Sequence, residues 1–175
     1  ALGPAINWLD TRASAEAAAI TARYPLPTLY RLTGKRASAV YVLPKLLWLR
    51  RHRPDLYRQA AMFAMAHDFL VRRFSGRLVT DHSLASGTLL YDVTRLAWSD
   101  ELLAAFDLSP ARLPAIHWAG TPVGRVLPDV ADRLGLGRGA LVVVGGQDQK
   151  CAALAARIRS GVATVSLGTA TAVSV

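Results

Sequence analysis

Residues 142–154, VVVGGQDQKCAAL, contain the pattern that decides the fold. The three valines at 142–144 predict a strand that is covered on both faces. Two glycines then permit a tight turn, and the apolar spacing of residues 147–158 predicts a helix packed against a sheet. Open α/β sheets bind ligands at the carboxyl ends of their strands. Asp148 therefore stands at a candidate ligand position.

The residues around Asp148 allow two interpretations. Gln147 and Gln149 flank the carboxylate with amide groups that suit the hydroxyl groups of a ligand. Alternatively, Asp148 is only the N-cap of the helix that follows. Local sequence leaves both interpretations open.

Composition predicts a folded α/β domain. The chain has 175 residues, of which 52% are hydrophobic, enough to build one sizeable core. No apolar run approaches the length of a membrane span, and the first ten residues lack the pattern of a signal peptide. The single cysteine, Cys151, fits a reducing compartment and is expected to be a small core residue. We therefore expect a cytoplasmic protein with no membrane partner.

The net charge of +9 raises the question of a nucleic-acid partner. The basic residues are spread from Arg12 to Arg159, and residues 50–53 form the only dense cluster. Aromatic residues do not interleave with that cluster as in a stacking platform. Cations suit the C-terminal end of a helix, which predicts a solvated helix end there. We expect no nucleic-acid partner, and a basic nucleic-acid-binding or nuclease module with a ribonuclease-H-like fold is the alternative.

The rest of the chain predicts a strand and then a series of helices. Residues 4–10 have the pattern of a strand, and Ser14 is a plausible N-cap for the Ala-rich helix that follows. Residues 44–76 predict two or three helices, cut at Pro54 and closed by a glycine. Ser99 and the acids after it predict another helix start. The α/β domain thus has a helical excursion in its middle.

The last residues predict a β-hairpin. Two alternating apolar segments, 163–168 and 169–175, are joined by a Gly-Thr turn. Backbone N–H groups and the hydroxyl in such a turn, at Gly168 and Thr169, can cradle a phosphate. Read alone, the segment is only a turn.

Metal ligands and nucleophile motifs are not predicted. The four histidines lack the i, i+4 pairing and the Cys or Asp companions of a zinc site. The sequence contains neither a Gly-x-Ser-x-Gly elbow nor a Walker loop. We predict no metal ligand set.

Eight segments, in this order, resemble one family along the whole chain. They are WLDTR (8–12), LTGK (32–35), PKLLWLRRHRPDLY (44–57), HDFLVRRFSG (67–76), TDHSLASGTLLYDVTRLAWSDELL (80–103), LPAI (113–116), VGGQDQKCAAL (144–154) and VSLGTA (165–170). The run that contains Asp81, Ser83, Ala85, Ser86, Thr88 and Asp92, followed by Trp98, is a specific signature. The chain resembles the FGGY family of carbohydrate kinases, and most of all its xylulose-kinase-type members.

The resemblance implies an actin-like, ribonuclease-H-like fold, in which two α/β domains hold a sugar and ATP with Mg²⁺ in the cleft between them. Residues 1–160 would be the later part of the sugar-binding N-terminal domain. Residues 161–175 would be the opening hairpin of the nucleotide-binding domain.

The resemblance also implies roles for individual residues. Asp148 matches the catalytic base, and Gln149 matches a position that holds a substrate hydroxyl. Trp8 matches a residue that lines the sugar pocket, with core packing as the alternative. Gly168 and Thr169 match the second phosphate-binding hairpin. Asp10 and Arg12 are expected to form a structural pair.

Departures from the family pattern set further expectations. The first phosphate hairpin, the substrate-contacting stretch before residue 4 and most of the second domain are missing. The chain therefore looks like an internal piece of a kinase, inactive by itself, whose full-length parent can form a homodimer. A non-catalytic remnant of a truncated gene is a further alternative.

Two single positions also depart from the family pattern. Ala170 stands where relatives carry Ser or Gly. Val40, with Tyr41 adjacent, stands where a glycerol kinase shows Tyr, which weakens glycerol as the substrate. The likeness of residues 85–103 to xylulose-kinase-type members makes a pentulose such as xylulose the first expectation and leaves other ketoses and polyols open.

Overall fold

The structure is a computed structural model that describes residues 1–168 and 171–175. These residues form nine α-helices, eight short strands and two single 3₁₀ turns, at Ser86–Thr88 and Pro110–Arg112. The helices are α1 (Ser14–Arg23), α2 (Leu26–Thr33), α3 (Val42–His52), α4 (Pro54–Gln59), α5 (Ala66–Ser75), α6 (His82–Ala85), α7 (Asp100–Ala105), α8 (Pro128–Leu134) and α9 (Asp148–Ala155). The strands are β1 (Val79–Asp81), β2 (Tyr91–Asp92), β3 (Ala97–Trp98), β4 (Ala115–His117), β5 (Pro122–Arg125), β6 (Leu141–Val143), β7 (Thr164–Ser166) and β8 (Ala172–Ser174).

The strands pair two by two in the described part of the chain. β1 and β4 are parallel, with Val79 opposite Ala115 and Asp81 opposite His117. β2 pairs with β3, β5 with β6 and β7 with β8, all antiparallel. Because parallel strands run in one direction, Asp81 and His117 both lie at the carboxyl edge of their sheet. The predicted mixed α/β architecture with a helical excursion is confirmed.

Two apolar clusters form the core. The larger one joins the helical excursion to the segment after β1, and its buried members are Ile20, Leu29, Leu43, Leu46, Tyr57, Leu89, Leu90, Leu102, Leu103, Phe106, Leu108 and Leu113. The smaller one is a valine cluster made of Val71, Val79, Val123 and Val144. Its members come from α5, β1, β5 and the residue that follows β6. The candidate ligand turn therefore begins on this small second core.

Local signals place the helix boundaries well. α3 ends before Pro54, which begins α4, as predicted. Gly76 closes α5 with a φ of 77°, a left-handed conformation that favours glycine. Ser99 caps α7, since its Oγ accepts a hydrogen bond from the Leu102 N–H. The predicted Ser14 cap is wrong, because Ser14 is the first residue of α1 and its Oγ donates to the Thr11 carbonyl instead.

The basic cluster and the final hairpin also match expectation. Arg50, Arg51 and His52 form the last turn of α3, so the cluster is a helix C-terminus. β7 and β8 form the predicted antiparallel hairpin. Its expected phosphate-binding residue Thr169, and Ala170, lie outside the described residues.

Residues 4–10 do not form the predicted strand. The segment ends in a turn, in which the Asp10 N–H donates to the Asn7 carbonyl and the Leu9 N–H to the Asn7 side chain. The carbonyls of Asn7 and Trp8 accept hydrogen bonds from the Lys45 ammonium. These groups are therefore satisfied by a side chain and a turn instead of a neighbouring strand.

The prediction that the 142–144 strand is covered on both faces is wrong for this chain. Leu141 is 57% exposed and Val143 is 46% exposed, while Val144 is buried in the valine cluster. Within the described residues, β6 pairs only with β5, so one edge and one face stay open. Cys151 is likewise exposed and not in the core, because it lies in the first turns of α9 beside this open end.

We predict that Ser99→Ala lowers the free energy of unfolding by about 1 kcal/mol, the usual worth of an N-cap. Ser99 is 1% exposed, so the variant also leaves the Leu102 N–H buried without its acceptor. Ser109 is the matched control, because it precedes a 3₁₀ turn without a side-chain cap bond. Urea unfolding should show no change for Ser109→Ala. An equal loss of unfolding free energy in the two variants would contradict the capping role of Ser99.

Candidate active site

Asp148 is the first residue of α9 and not its cap. Gln147 is the N-cap, because its Oε1 accepts a hydrogen bond from the Lys150 N–H at 3.1 Å. The longer glutamine side chain reaches the open first turn, so the interpretation of Asp148 as the N-cap is wrong. The acidic side chain nevertheless lies in the first turn of α9, at the positive end of the helix dipole.

One oxygen of the Asp148 carboxylate is held and the other is open. Oδ1 accepts a hydrogen bond from the Gln149 N–H at 2.7 Å and one from the Gln147 Nε2 at 2.5 Å. Within residues 1–168 and 171–175, no donor lies within hydrogen-bonding distance of Oδ2. Asp148 is exposed, so Oδ2 can meet a ligand. Its arrangement suits a general base with a fixed orientation.

The two flanking glutamines do different things. Gln147 is half-buried and uses its side chain twice, once as helix cap and once as a donor to Asp148. Gln149 is exposed, and its backbone N–H is the group that contacts Asp148. The Gln149 side chain therefore lies on the exposed first turn of α9.

Asp81, the last residue of β1, and Ser83, in α6, hold this turn. Asp81 Oδ2 accepts from the Ser83 Oγ at 2.7 Å, and Ser83 Oγ in turn accepts from the Gln147 N–H at 2.8 Å. From the sequence, these two residues stood only in a family signature. An acid at the end of a strand, Asp81, with a serine two positions later, was the signal that could have shown them to be part of the site.

An aromatic pair covers the same sheet edge. The rings of His82 and Trp118 lie with centroids 4.0 Å apart, and Trp118 is 62% exposed. Trp118 follows β4 directly, and the loop it begins is bonded to β6, since the Gly120 N–H donates to the Val144 carbonyl. The carboxyl ends of β1, β4 and β6 thus lie together, a typical ligand position in α/β sheets.

Trp8 lies in a loop that a buried lysine holds. The Lys45 Nζ donates to the carbonyls of Asn7 at 2.7 Å, Val40 at 3.2 Å and Trp8 at 3.4 Å. Burial lowers the pKa of Lys45, and Asp10 opposes that shift. Trp8 itself is 65% exposed, so the core-packing alternative for Trp8 is wrong.

Asp10 and Arg12 form the predicted structural pair beside Trp8. The Arg12 Nε lies 2.8 Å and 2.9 Å from the two Asp10 carboxylate oxygens, and the guanidinium also lies 4.9 Å from the centre of the Trp48 ring. The hydrogen bonds from Arg12 lower the pKa of Asp10 from 3.8 to about 2.

The other expected site residues among those described, Trp8 and Gly168, are not bonded to Asp148 in this structure. Gly168 follows β7 on the exposed hairpin. Among the described residues, no hydrogen bond or ring contact joins Trp8 or Gly168 to Asp148. The structure therefore brings together Asp148 and Gln149 with their supports.

No group of three or more His, Cys, Asp or Glu side chains among the described residues has the arrangement of a metal site. No helix in that part of the chain combines the length and apolarity needed to cross a bilayer.

Comparison with known proteins places this geometry in a family. Residues 1–155 match the model of the N-terminal domain of the FGGY family of carbohydrate kinases. The xylulose kinase of Escherichia coli (strain K12) is 35% identical over 168 residues, which are 96% of this chain and 34% of that protein. The chain spans about a third of the length of the curated relatives that it matches.

Solved structures of carbohydrate kinases have the same fold over most of this chain. A ligand-bound xylulose kinase from Lactobacillus acidophilus has a TM-score of 0.89 and 25% identity, with 96% of this chain and 34% of that one covered. A gluconate kinase from Lactobacillus acidophilus has a TM-score of 0.90 at the same identity and coverage. The chain belongs to the FGGY family of carbohydrate kinases, as its segments predicted.

We predict that Arg12→Gln returns the pKa of Asp10 from about 2 towards 3.8, as read from the carboxyl carbon by NMR. Because the folded pKa lies below the unfolded one, the pair stabilises the fold above pH 3.8. That contribution is lost as the pH falls from 3.8 towards 2. Arg31→Gln, at an exposed position of α2, is the control and should leave the pKa of Asp10 unchanged. An unaltered pKa of Asp10 in Arg12→Gln would show that Arg12 does not cause the low value.

Proposed function

We propose that the intact protein containing this chain phosphorylates a hydroxyl group of a ketose sugar with ATP, and that Asp148 is the catalytic base. The observation that carries the proposal is the Asp148 carboxylate at the start of α9. Its Oδ1 is held by two donors, and its Oδ2 is open to a ligand. Family membership supplies the class of reaction.

The geometry of the turn supports a base that is ready before substrate binds. The Asp148 carboxylate lies at the positive end of the helix dipole, and the two bonds to Oδ1 fix its orientation. Oδ2 then accepts the proton of the sugar hydroxyl as the hydroxyl oxygen bonds to the γ-phosphorus. The bond from that phosphorus to the β-phosphate oxygen breaks, and ADP leaves. Phosphoryl transfer depends mainly on positioning and charge stabilisation, so a fixed carboxylate is the contribution expected of this chain.

Substrate binding is assigned to the exposed groups around Asp148. Gln149 stands next to the base on the exposed first turn of α9 and is proposed to bind another sugar hydroxyl. Trp8 is proposed to line the sugar pocket, because its ring is exposed while its backbone carbonyl is held by Lys45. Rigid exposed aromatic rings offer an apolar face at low entropic cost.

ATP and Mg²⁺ enter the proposal through the family. Gly168 and Thr169 are proposed to contact ATP phosphates, with residues 161–175 as the start of a nucleotide-binding domain after a sugar-binding domain at 1–160. Mg²⁺ often binds through one or two carboxylates together with substrate phosphates. Asp148 is proposed as the base, so no residue of this chain is assigned as a ligand of the ion. The ion would neutralise charge on the phosphates.

We propose an actin-like fold for both domains. We also propose that the 175-residue chain has no kinase turnover by itself.

For the substrate, we predict that the intact protein phosphorylates D-xylulose with a kcat/KM at least about tenfold above that for glycerol or gluconate. The named relatives include xylulose kinases and a gluconate kinase, so a coupled ADP-release assay should compare these three substrates. Val40 at the position of a glycerol-kinase Tyr is the reason for placing glycerol lower. A preference for gluconate or glycerol would overturn the pentulose assignment and leave the kinase class standing.

For the base, we predict that Asp148→Asn lowers kcat by about 10²–10⁴-fold while the fold and the KM for ATP stay nearly unchanged. Asn keeps the shape and can still accept at Oδ1, but it cannot take the proton. Asp129→Asn is the matched control, because Asp129 is an exposed acid in the first turn of α8. Near-normal kcat in Asp148→Asn would show that the residue is not the base, and unfolding would show a structural role.

A further inference from the structure

The Ser83 hydroxyl links two parts of the chain that lie 64 residues apart. Its oxygen accepts a hydrogen bond from the Gln147 N–H at 2.8 Å. Gln147 is the N-cap of α9, so its N–H has no acceptor within that helix. Ser83 supplies the acceptor, and the bond fixes the backbone one residue before Asp148.

Asp81 sets the direction of the Ser83 hydroxyl. Asp81 is 3% exposed, and its Oδ2 accepts both the Ser83 Oγ at 2.7 Å and the Ser83 N–H at 2.8 Å. Its Oδ1 accepts from the Leu84 N–H at 2.9 Å. Because the hydroxyl proton is committed to Asp81, the lone pairs of the Ser83 oxygen are directed to other donors. The Gln147 N–H is the donor that meets them.

Gly146 lets the turn approach this pair. A Cβ at position 146 would lie 3.3 Å from the Ser83 Oγ, 3.5 Å from the Asp81 Oδ2 and 3.4 Å from the Cys151 Sγ. The first of these is tighter than an ordinary van der Waals contact. The absence of a side chain at 146 therefore permits the Gln147 N–H to reach Ser83.

We propose that Ser83 is a positioning residue for Asp148, an inference that rests on the proposed role of Asp148 as the base. The chain of contacts runs from β1 through Asp81 and Ser83 to the Gln147 backbone. Gln147 then both caps α9 and donates its Nε2 to Asp148 Oδ1. A shift of Gln147 thus moves the base and the group that orients it together. Displacements of about 1 Å near reacting groups can cost 10²-fold in rate.

The test uses three variants of the intact protein. Ser83→Ala removes the hydroxyl, and Ser83→Thr keeps it. Ser86→Ala is the matched control, because Ser86 is equally half-buried and its Oγ bonds only the Ser83 carbonyl within the same segment. Amide hydrogen exchange of Gln147 without ligands reports the bond itself, and steady-state kinetics report its effect on catalysis.

We expect Ser83→Ala to speed exchange of the Gln147 amide by about tenfold or more and to lower kcat by about 10–10²-fold, with the KM for ATP within about twofold. Ser83→Thr and Ser86→Ala should stay near wild type in both Gln147 amide exchange and kcat. If Gln147 exchange rises while kcat is unchanged, Ser83 does not position the base. If Ser86→Ala or Ser83→Thr loses as much kcat as Ser83→Ala, the role is general packing and the proposal fails.

Failure of the proposed function is a separate result. If the wild-type protein phosphorylates no sugar, the kinase proposal fails, whereas the exchange of the Gln147 amide still measures the Ser83 bond. If Ser83→Ala does not fold, Asp81→Asn replaces it, because an amide at the Oδ2 position no longer accepts the Ser83 hydroxyl proton. Faster Gln147 exchange and lower kcat in Asp81→Asn would support the proposal, and wild-type values would overturn it.

Discussion

The close approach of the β6–α9 turn to the end of β1 is the constraint on which the candidate active site depends. Gly146 passes so near Ser83 that a Cβ there would lie 3.3 Å from the Ser83 Oγ, and the Gln147 N–H then finds its acceptor. β1 is itself fixed by parallel pairing with β4 and by Val79 in the valine cluster. The orientation of Asp148 therefore depends on a strand pair far from it in sequence.

α5 supports the same turn from another side. Val71 packs in the valine cluster, and Asp68 is fully buried with its Oδ2 accepting the Met65 N–H at 2.8 Å. Burial raises the pKa of Asp68, and the hydrogen bonds to it oppose that shift. Its neighbour His67 lies against the turn, with Nε2 3.6 Å from where a Cβ on Gly145 would stand. The turn is thus enclosed by β1 and α5, while its outer side stays open to a ligand.

The loop that carries Trp8 is held by a buried lysine side chain instead of by strand pairing. A buried ammonium costs free energy unless its protons are bonded, and Lys45 meets this condition with three backbone carbonyls. The loop needs no neighbouring strand to satisfy these carbonyls, so Trp8 can stay exposed and still be held in place. This arrangement fits the proposed role of Trp8 beside a sugar, because a pocket wall must be both accessible and fixed.

The sequence by itself determined the features that neighbouring residues control. The cap at Ser99, the helix break at Pro54, the Asp10–Arg12 pair and the final hairpin each involve residues a few positions apart, and the structure has all four. The family and the location of Asp148 at a strand-to-helix junction also followed from local motifs. Such interactions form within one turn or one loop, so a pattern along the chain is enough to predict them.

Only the tertiary structure decided how these pieces support one another. Residues 4–10 are a loop because Lys45 folds back on them, and β1 is a strand because β4 lies beside it. The bond between Ser83 and Gln147 joins residues 64 positions apart. Contacts of this kind depend on the register and packing of distant segments, which no short window of sequence contains. Trp8 is exposed and Leu141 is open for the same physical reason: burial is a property of what packs against a residue, and not of the residue itself.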